Sequence, residues 1–293
     1  PGSTNRLLTV SQLETLRDLT IPVGQLQRSE IRGRLAQFGQ ESAEHKRIAT
    51  DPLFGIENSF KVFYGQQSAL NDKAFMDAKR AQEAELKGKV AADPKLAAEI
   101  GDPWGDIAKA QAAYANNYLR YRQIEGGAAY SNLYYYAQTL VRAAQEREKP
   151  SAERLAEYAD TRLPLVEKKV LDAKPVDAEL EEVYLAFWLS QTREYLTTDE
   201  PAVKTLLGKE SPEGLARRAV AGSKLADPAA RKALWDGGLA AIKASDDPMI
   251  QLVLRNDPAA RAVRKAWETD VQGPTDAAAE RVARAKFAAY GDA

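Results

Sequence analysis

The side chains able to do chemistry are few in this chain, and their spacing decides what chemistry is open to them. There is one histidine, His45, and no cysteine. Thiolate catalysis, disulfides and thiolate metal sites are therefore excluded. A Ser-His-Asp mechanism or a two-histidine metal site would have to pass through His45. It lies in Glu41-Ser42-Ala43-Glu44-His45-Lys46-Arg47, and the fourth residue on is Ala49, so the zinc-protease spacing fails. His45 reads as a solvated or partly packed helical histidine, and no catalytic, metal or cofactor site is assigned.

The acidic pairs Glu181-Glu182 and Asp246-Asp247 diverge on their own elements instead of converging across a cleft. They read as a solvated face or as caps. The glycine pairs at 126–127 and 237–238 carry no phosphate-loop pattern. Two segments stay open. Tyr130-Ser131-Asn132-Leu133-Tyr134-Tyr135-Tyr136 is either a helix packed on two sides or an aromatic wall of a cleft. In Glu57-Asn58-Ser59-Phe60-Lys61, two polar residues stand between Ile56 and Phe60. Asparagine is mediocre inside a helix. Asn58 is either a local cap or interhelical bond, or an amide offered to a ligand.

The elements that must position these residues are helical. Apolar residues recur at helical spacing in Ile31, Leu35 and Phe38, in Tyr114, Tyr118 and Tyr121, and in Trp235, Leu239 and Ile242. Leu180, Tyr184, Phe187, Trp188 and Tyr195 form a broad aromatic stripe. Ser11 and Glu14 read as a capping pair. Asp-Pro at 51, 93, 102, 227, 247 and 257, and Ser211-Pro212, read as helix starts, because the acid or hydroxyl caps the first turn and proline suits its first position.

Helices are expected near 11–20, 24–49, 53–92, 103–147 (broken at Gly126-Gly127), 151–172, 177–197, 212–222, 228–244, 247–255, 258–271 and 275–290. Only Arg6 to Val10 alternates like a short strand or extended lead-in. The fold class is all-α: a lead-in over 1–10 and an irregular multi-helix domain over 11–290. Long helices over 11–197 and short ones over 198–290 suggest two subregions.

Formal net charge is −1, from 41 basic and 42 acidic residues. That balance argues against a nucleic-acid or anionic-membrane partner. No apolar run approaches the ~20 residues of a membrane span.

The opening Pro1-Gly2-Ser3-Thr4-Asn5-Arg6 has no initiator Met and no signal peptide, and reads as a domain cut from a larger protein. It resembles the "G-F-P-G-x-T-x-R" segment of bacterial serine dipeptidyl aminopeptidases, the dipeptidyl-peptidases 7 and 11. Ile56-Glu57-Asn58-Ser59-Phe60-Lys61 is similar to the "N-x-aromatic-K" helix of that family, and Phe287 to Gly291 to the end of its helical insertion. The resemblance covers the whole chain in order and length.

It implies a helical domain inserted in a chymotrypsin-like double β-barrel, with the catalytic histidine and aspartate before it and the serine after it. The domain covers the cleft. Asn58, by this match, helps hold the substrate's free α-amino group beside an aspartate of the barrel. The implied partners are the peptide's amino terminus and the barrel of the same chain. The parent is expected to be a periplasmic homodimer and to need no cofactor, and the ends of the helical domain are expected to lie close together. The competing expectation is a stand-alone helical scaffold that binds a partner protein through its aromatic stripes.

Overall fold

In the computed structural model, which describes residues 8–291, local capping chemistry accounts for most helix starts. Asp93 caps α5 (Pro94–Ile100), Ser211 caps α11 (Pro212–Gly222) and Asp227 caps α12 (Pro228–Ala244), each followed by proline in the first turn. Asp102 accepts from the Gly105 N–H at 3.0 Å at the head of α6 (Pro103–Arg120). Asp247 accepts from the Met249 N–H at 2.9 Å at the head of α13 (Pro248–Trp267).

The remaining long elements are α1 (Val10–Thr15), α2 (Ile21–Glu41), α3 (Ala43–Asn71), α4 (Lys73–Ala92), α7 (Asn132–Arg147), α8 (Leu163–Val170), α9 (Ala178–Leu196), α10 (Pro201–Leu207) and α14 (Gly273–Tyr290). No strand occurs among the described residues, so the all-α class holds.

Several boundaries differ from the sequence reading. Asp51-Pro52 and Asp257-Pro258 start nothing: Pro52 lies inside α3 and Pro258 inside α13. A helix can run through proline at the cost of one backbone bond when neighbouring packing holds it. The first cap is Thr9 with Gln12, not Ser11 with Glu14. The helix expected over 53–92 is cut at Asp72, which accepts from the Phe75 N–H at 3.0 Å and caps α4. The stretch 151–172 holds two single 3₁₀ turns and then α8. Val10 of the expected lead-in is helical, while Arg6 and Leu7 lie outside the described residues.

The chain forms two units. The first comprises 1–36, 50–118 and 265–293, and the second 37–49 and 119–264. The change expected at residue 197 falls inside the second unit, and α13, beyond it, has 20 residues.

The second unit is built around α7 and α9. Leu133, Tyr134, Leu140, Leu185, Trp188 and Leu189 are buried there with Leu215, Ile242, Ile250 and Val253. The Gly126-Gly127 break has a packing cause. A Cβ on Gly127 would sit 2.5 Å from Cζ2 of Trp188, so only glycine admits the indole. The chain loosens into a wide turn at Tyr121–Glu125, and the Trp188 indole N–H donates to the Gln123 carbonyl at 2.8 Å.

The first unit has two smaller cores. Leu13, Ile21, Leu70 and Met76 form one. Leu86, Ile100, Trp104, Ile107, Ala278 and Val282 form the other. Leu8 and Tyr290, near the two ends of the described chain, line one cavity of this unit.

Candidate functional site

The tyrosine segment is core. Tyr134 is fully buried, packs against the Trp188 ring at 4.6 Å and accepts from the Asn256 amide at 2.9 Å. Burial drives its phenol well above the ordinary range, with Asn256 opposing. Tyr136 lies beneath the Arg231 guanidinium, 4.1 Å from the ring centre. Tyr130 meets the Phe187 edge at 5.6 Å and accepts from Arg122 at 3.0 Å. Tyr130 and Tyr135 are half-buried and pack against the same core.

The acidic pairs are structural. Glu181 is buried, which the sequence reading of a solvated face or cap did not foresee. It accepts from the Ser131 hydroxyl at 2.6 Å, the Asn132 and Leu133 N–H groups at 3.1 Å, and the Asn132 amide at 2.7 Å. A carboxylate from α9 thus caps α7, where unpaired N–H groups and the helix dipole favour negative charge. Glu182 pairs with Arg217 at 3.1 Å. Asp247, besides capping α13, accepts from the Lys224 N–H at 2.7 Å.

A second buried cluster went unnoticed in the sequence. Arg142 donates to Glu125 at 2.6 and 2.7 Å and to Asp257 at 2.7 Å. Arg261 donates to Asp257 and to Glu146, each at 2.6 Å. Burial alone would lower the Arg142 pKa; Glu125 and Asp257 reverse that and hold it charged. The network ties α7 to α13 and to the Tyr121–Glu125 turn.

His45 stacks on Phe38 with ring centres 4.1 Å apart. Its Nδ1 faces Glu41 at 3.2 Å and its Nε2 bonds Glu179. Both ring nitrogens are therefore held by carboxylates, the arrangement of a partly packed helical histidine. No group of three or more histidine, aspartate or glutamate residues could hold a metal ion among the described residues. No helix among them is long and apolar enough to cross a membrane.

What remains is one face of α3. Phe54, Asn58, Lys61, Val62 and Gly65 recur at i, i+4, i+7, i+8 and i+11, and all five are exposed. Phe54 is 67% and Val62 57% exposed, and Tyr64 on the flank is 74%. The opposite face is held. Leu70 is buried, Phe63 packs on the Leu13–Ile21 core and lies 3.9 Å from the Arg28 guanidinium, and the Gln67 amide donates to the Arg17 carbonyl at 3.2 Å.

Asn58 makes no hydrogen bond to any described residue. Its neighbours do: Glu57 pairs with Arg32, and the Ser59 hydroxyl donates to the Gly55 carbonyl at 2.9 Å. The cap and the interhelical bond weighed for Asn58 are both absent. An amide between two large exposed apolar groups can accept from an ammonium and donate to a carbonyl, and exposed apolar groups of this size mark contact surfaces.

A family model described as Peptidase S46 matches residues 1–293. No curated protein is similar enough to this chain to add a relative.

Proposed function

This chain belongs to the peptidase S46 family, which includes the dipeptidyl-peptidases 7 and 11, and on that premise we propose that it is the substrate-gating helical domain of a serine dipeptidyl aminopeptidase. The parent enzyme releases dipeptides from the free amino terminus of peptides. Asn58 on the open face of α3 receives the substrate's α-ammonium. The catalytic triad belongs to the barrel of the same protein.

The observation that carries this reading is the state of Asn58: exposed, unbonded, and flanked by Phe54 and Val62 on a helix whose other face is packed. A dipeptide-releasing enzyme must measure two residues from a charged terminus. A neutral amide oxygen can accept from that ammonium. The neighbouring Lys61 opposes positive charge, and Glu57 is engaged with Arg32, so the countercharge comes from a carboxylate of the barrel. A helical cover completes such a site when peptide binds and water leaves. The location of the enzyme in the periplasm and its homodimeric state belong to the same proposal.

The test is Asn58→Ala in the full-length enzyme. One hydrogen bond to a charged group is worth roughly 1.5–3 kcal/mol, so kcat/KM on peptides with a free α-amino group should fall on the order of 10- to 100-fold. Unchanged cleavage would remove Asn58 from the site. The helical chain alone should release no dipeptide, because its one histidine faces two carboxylates and no serine. Dipeptide release sensitive to serine reagents would place the triad within it.

A further inference from the structure

Lys61 stands on the open face of α3, one turn beyond Asn58 at i+3, and is exposed. A helical lysine pairs readily with an acid four residues toward the amino terminus, and Glu57 holds that place. On α4 the same spacing does form pairs: Lys87 meets Glu83 at 2.7 Å and Lys89 meets Glu85 at 3.3 Å. On α3 the fold removes the partner, because Glu57 is engaged by the Arg32 guanidinium of α2. No other acid lies within four residues of Lys61 on either side. The Lys61 ammonium makes no ion pair or hydrogen bond with any described residue.

We propose that Lys61 is a positioning residue for the peptidase site: when the helical domain covers the cleft, its ammonium pairs with the barrel carboxylate that faces the substrate's α-ammonium. This rests on the role given to Asn58 and adds a second contact to that site. The balance of charge supports it. Asn58 is neutral, so an α-ammonium held there lies about one turn from Lys61, where side chains at i and i+3 stand about 5–6 Å apart at Cβ. Two cations so placed repel, and more strongly as water leaves. One carboxylate between them reverses the sign, because its two oxygens accept from separate donors. Phe54 and Val62 on the same face are the apolar groups that keep water from such a cluster. Lysine suits a contact made on closure: a flexible four-carbon stem carries the charge, and its three N–H donors impose no fixed fork.

The test is cleavage by the full-length enzyme carrying Lys61→Met, Lys61→Arg, Asn58→Ala, or Lys61→Met with Asn58→Ala. Paired peptides with and without an acidic side chain in the first two residues serve as substrates. Lys61→Met keeps the apolar stem and removes the charge. It should lower kcat/KM about tenfold or more on both peptides, and Lys61→Arg should restore it to within about threefold. The double variant should lose less than the product of the single losses, because both residues act on one ammonium through one cluster. The denaturant midpoint should not move, since Lys61 is exposed and unbonded. A rise in kcat/KM would mean that the lysine only repels the substrate, and would overturn the proposal. So would unchanged cleavage, a loss confined to the acidic peptide, a midpoint that falls with activity, or strictly multiplicative losses where both single variants are impaired. If Asn58→Ala is impaired and Lys61→Met is not, the lysine's role fails alone. If only Lys61→Met is impaired and Lys61→Arg restores it, the role of Asn58 fails and the lysine's stands. If neither is impaired, both fail.

Discussion

The two units differ in what they leave exposed. Among the described residues, the large apolar side chains open to solvent are Leu26, Phe54, Val62, Tyr64, Phe75, Phe287 and Tyr290 in the first unit, against Leu165 alone in the second. The second unit gathers most of its buried apolar residues in one large core, with a smaller cluster around Ile124 and Ala260, and it contains ion pairs that are themselves buried. The first divides its apolar residues between two small cores, and its ion pairs lie mostly at the surface, such as Lys73–Asp77 at 2.5 Å and Lys89–Glu85 at 3.3 Å. Surface pairs of this kind are screened by water and contribute little to stability. The first leaves more of its large apolar side chains at the surface, and Asn58 lies in it.

The contrast can be broken most sharply at Arg142. Removing one partner from a buried ion cluster costs roughly 3–5 kcal/mol, because the remaining charges stay buried and uncompensated. Arg142→Ala should therefore lower the denaturant midpoint steeply and strip amide protection first from α7 and α13. Protection lost first in α4 would show that the buried cluster is not what holds the second unit together.

A smaller loss is expected at the cap. Glu181→Ala leaves the Ser131, Asn132 and Leu133 donors unsatisfied, at about 1–3 kcal/mol. The loss should appear as faster exchange at the amino-terminal end of α7. Exchange unchanged there would show that the carboxylate contributes nothing to the helix start.

Acid should act on the same unit. The Glu146 and Glu157 pKa values are depressed below the ordinary 4.5: desolvation pushes each up, but Lys149, the Leu155 N–H and Arg261 overcome it at Glu146, and Arg264 does so at Glu157. A depressed carboxylate binds fewer protons folded than unfolded. Its contribution is complete above 4.5 and is lost as the pH falls through the folded value. Stability from these two residues should hold from neutral pH down to that point and decline below it. Denaturation midpoints of Glu146→Gln and Glu157→Gln should show a weaker decline than the unaltered chain; an identical decline would assign acid sensitivity elsewhere.

The smallest effects belong to the open face. Asn58→Ala and Phe54→Ser should change stability by no more than about 0.5 kcal/mol, since neither side chain is buried or bonded. A loss several times larger, measured by denaturant titration, would show that the α3 face supports the fold instead of serving a ligand.

Much of this molecule follows from residues three or four positions apart. The caps at Asp93, Asp102, Ser211, Asp227 and Asp247 are local: an oxygen and the N–H it meets lie within three residues. The all-α class and the break at Gly126-Gly127 were legible for the same reason. The motif around Asn58 was also legible, but only the packing of α3 decided that its amide points to no neighbour.

The rest depends on partners that sequence spacing does not reveal. Asp257-Pro258 has the same local signal as Asp247-Pro248. Yet Asp257 is bound by Arg142, 115 residues away, and by Arg261, and the helix runs on. Glu181 and Glu182 are adjacent, but only Glu181 reaches across 50 residues to the Ser131 hydroxyl and becomes buried. The cavity joins Leu8 to Tyr290. Capping is a contest settled within one turn. Charge burial and cavity walls are settled by which helices meet, and that is a property of the tertiary fold.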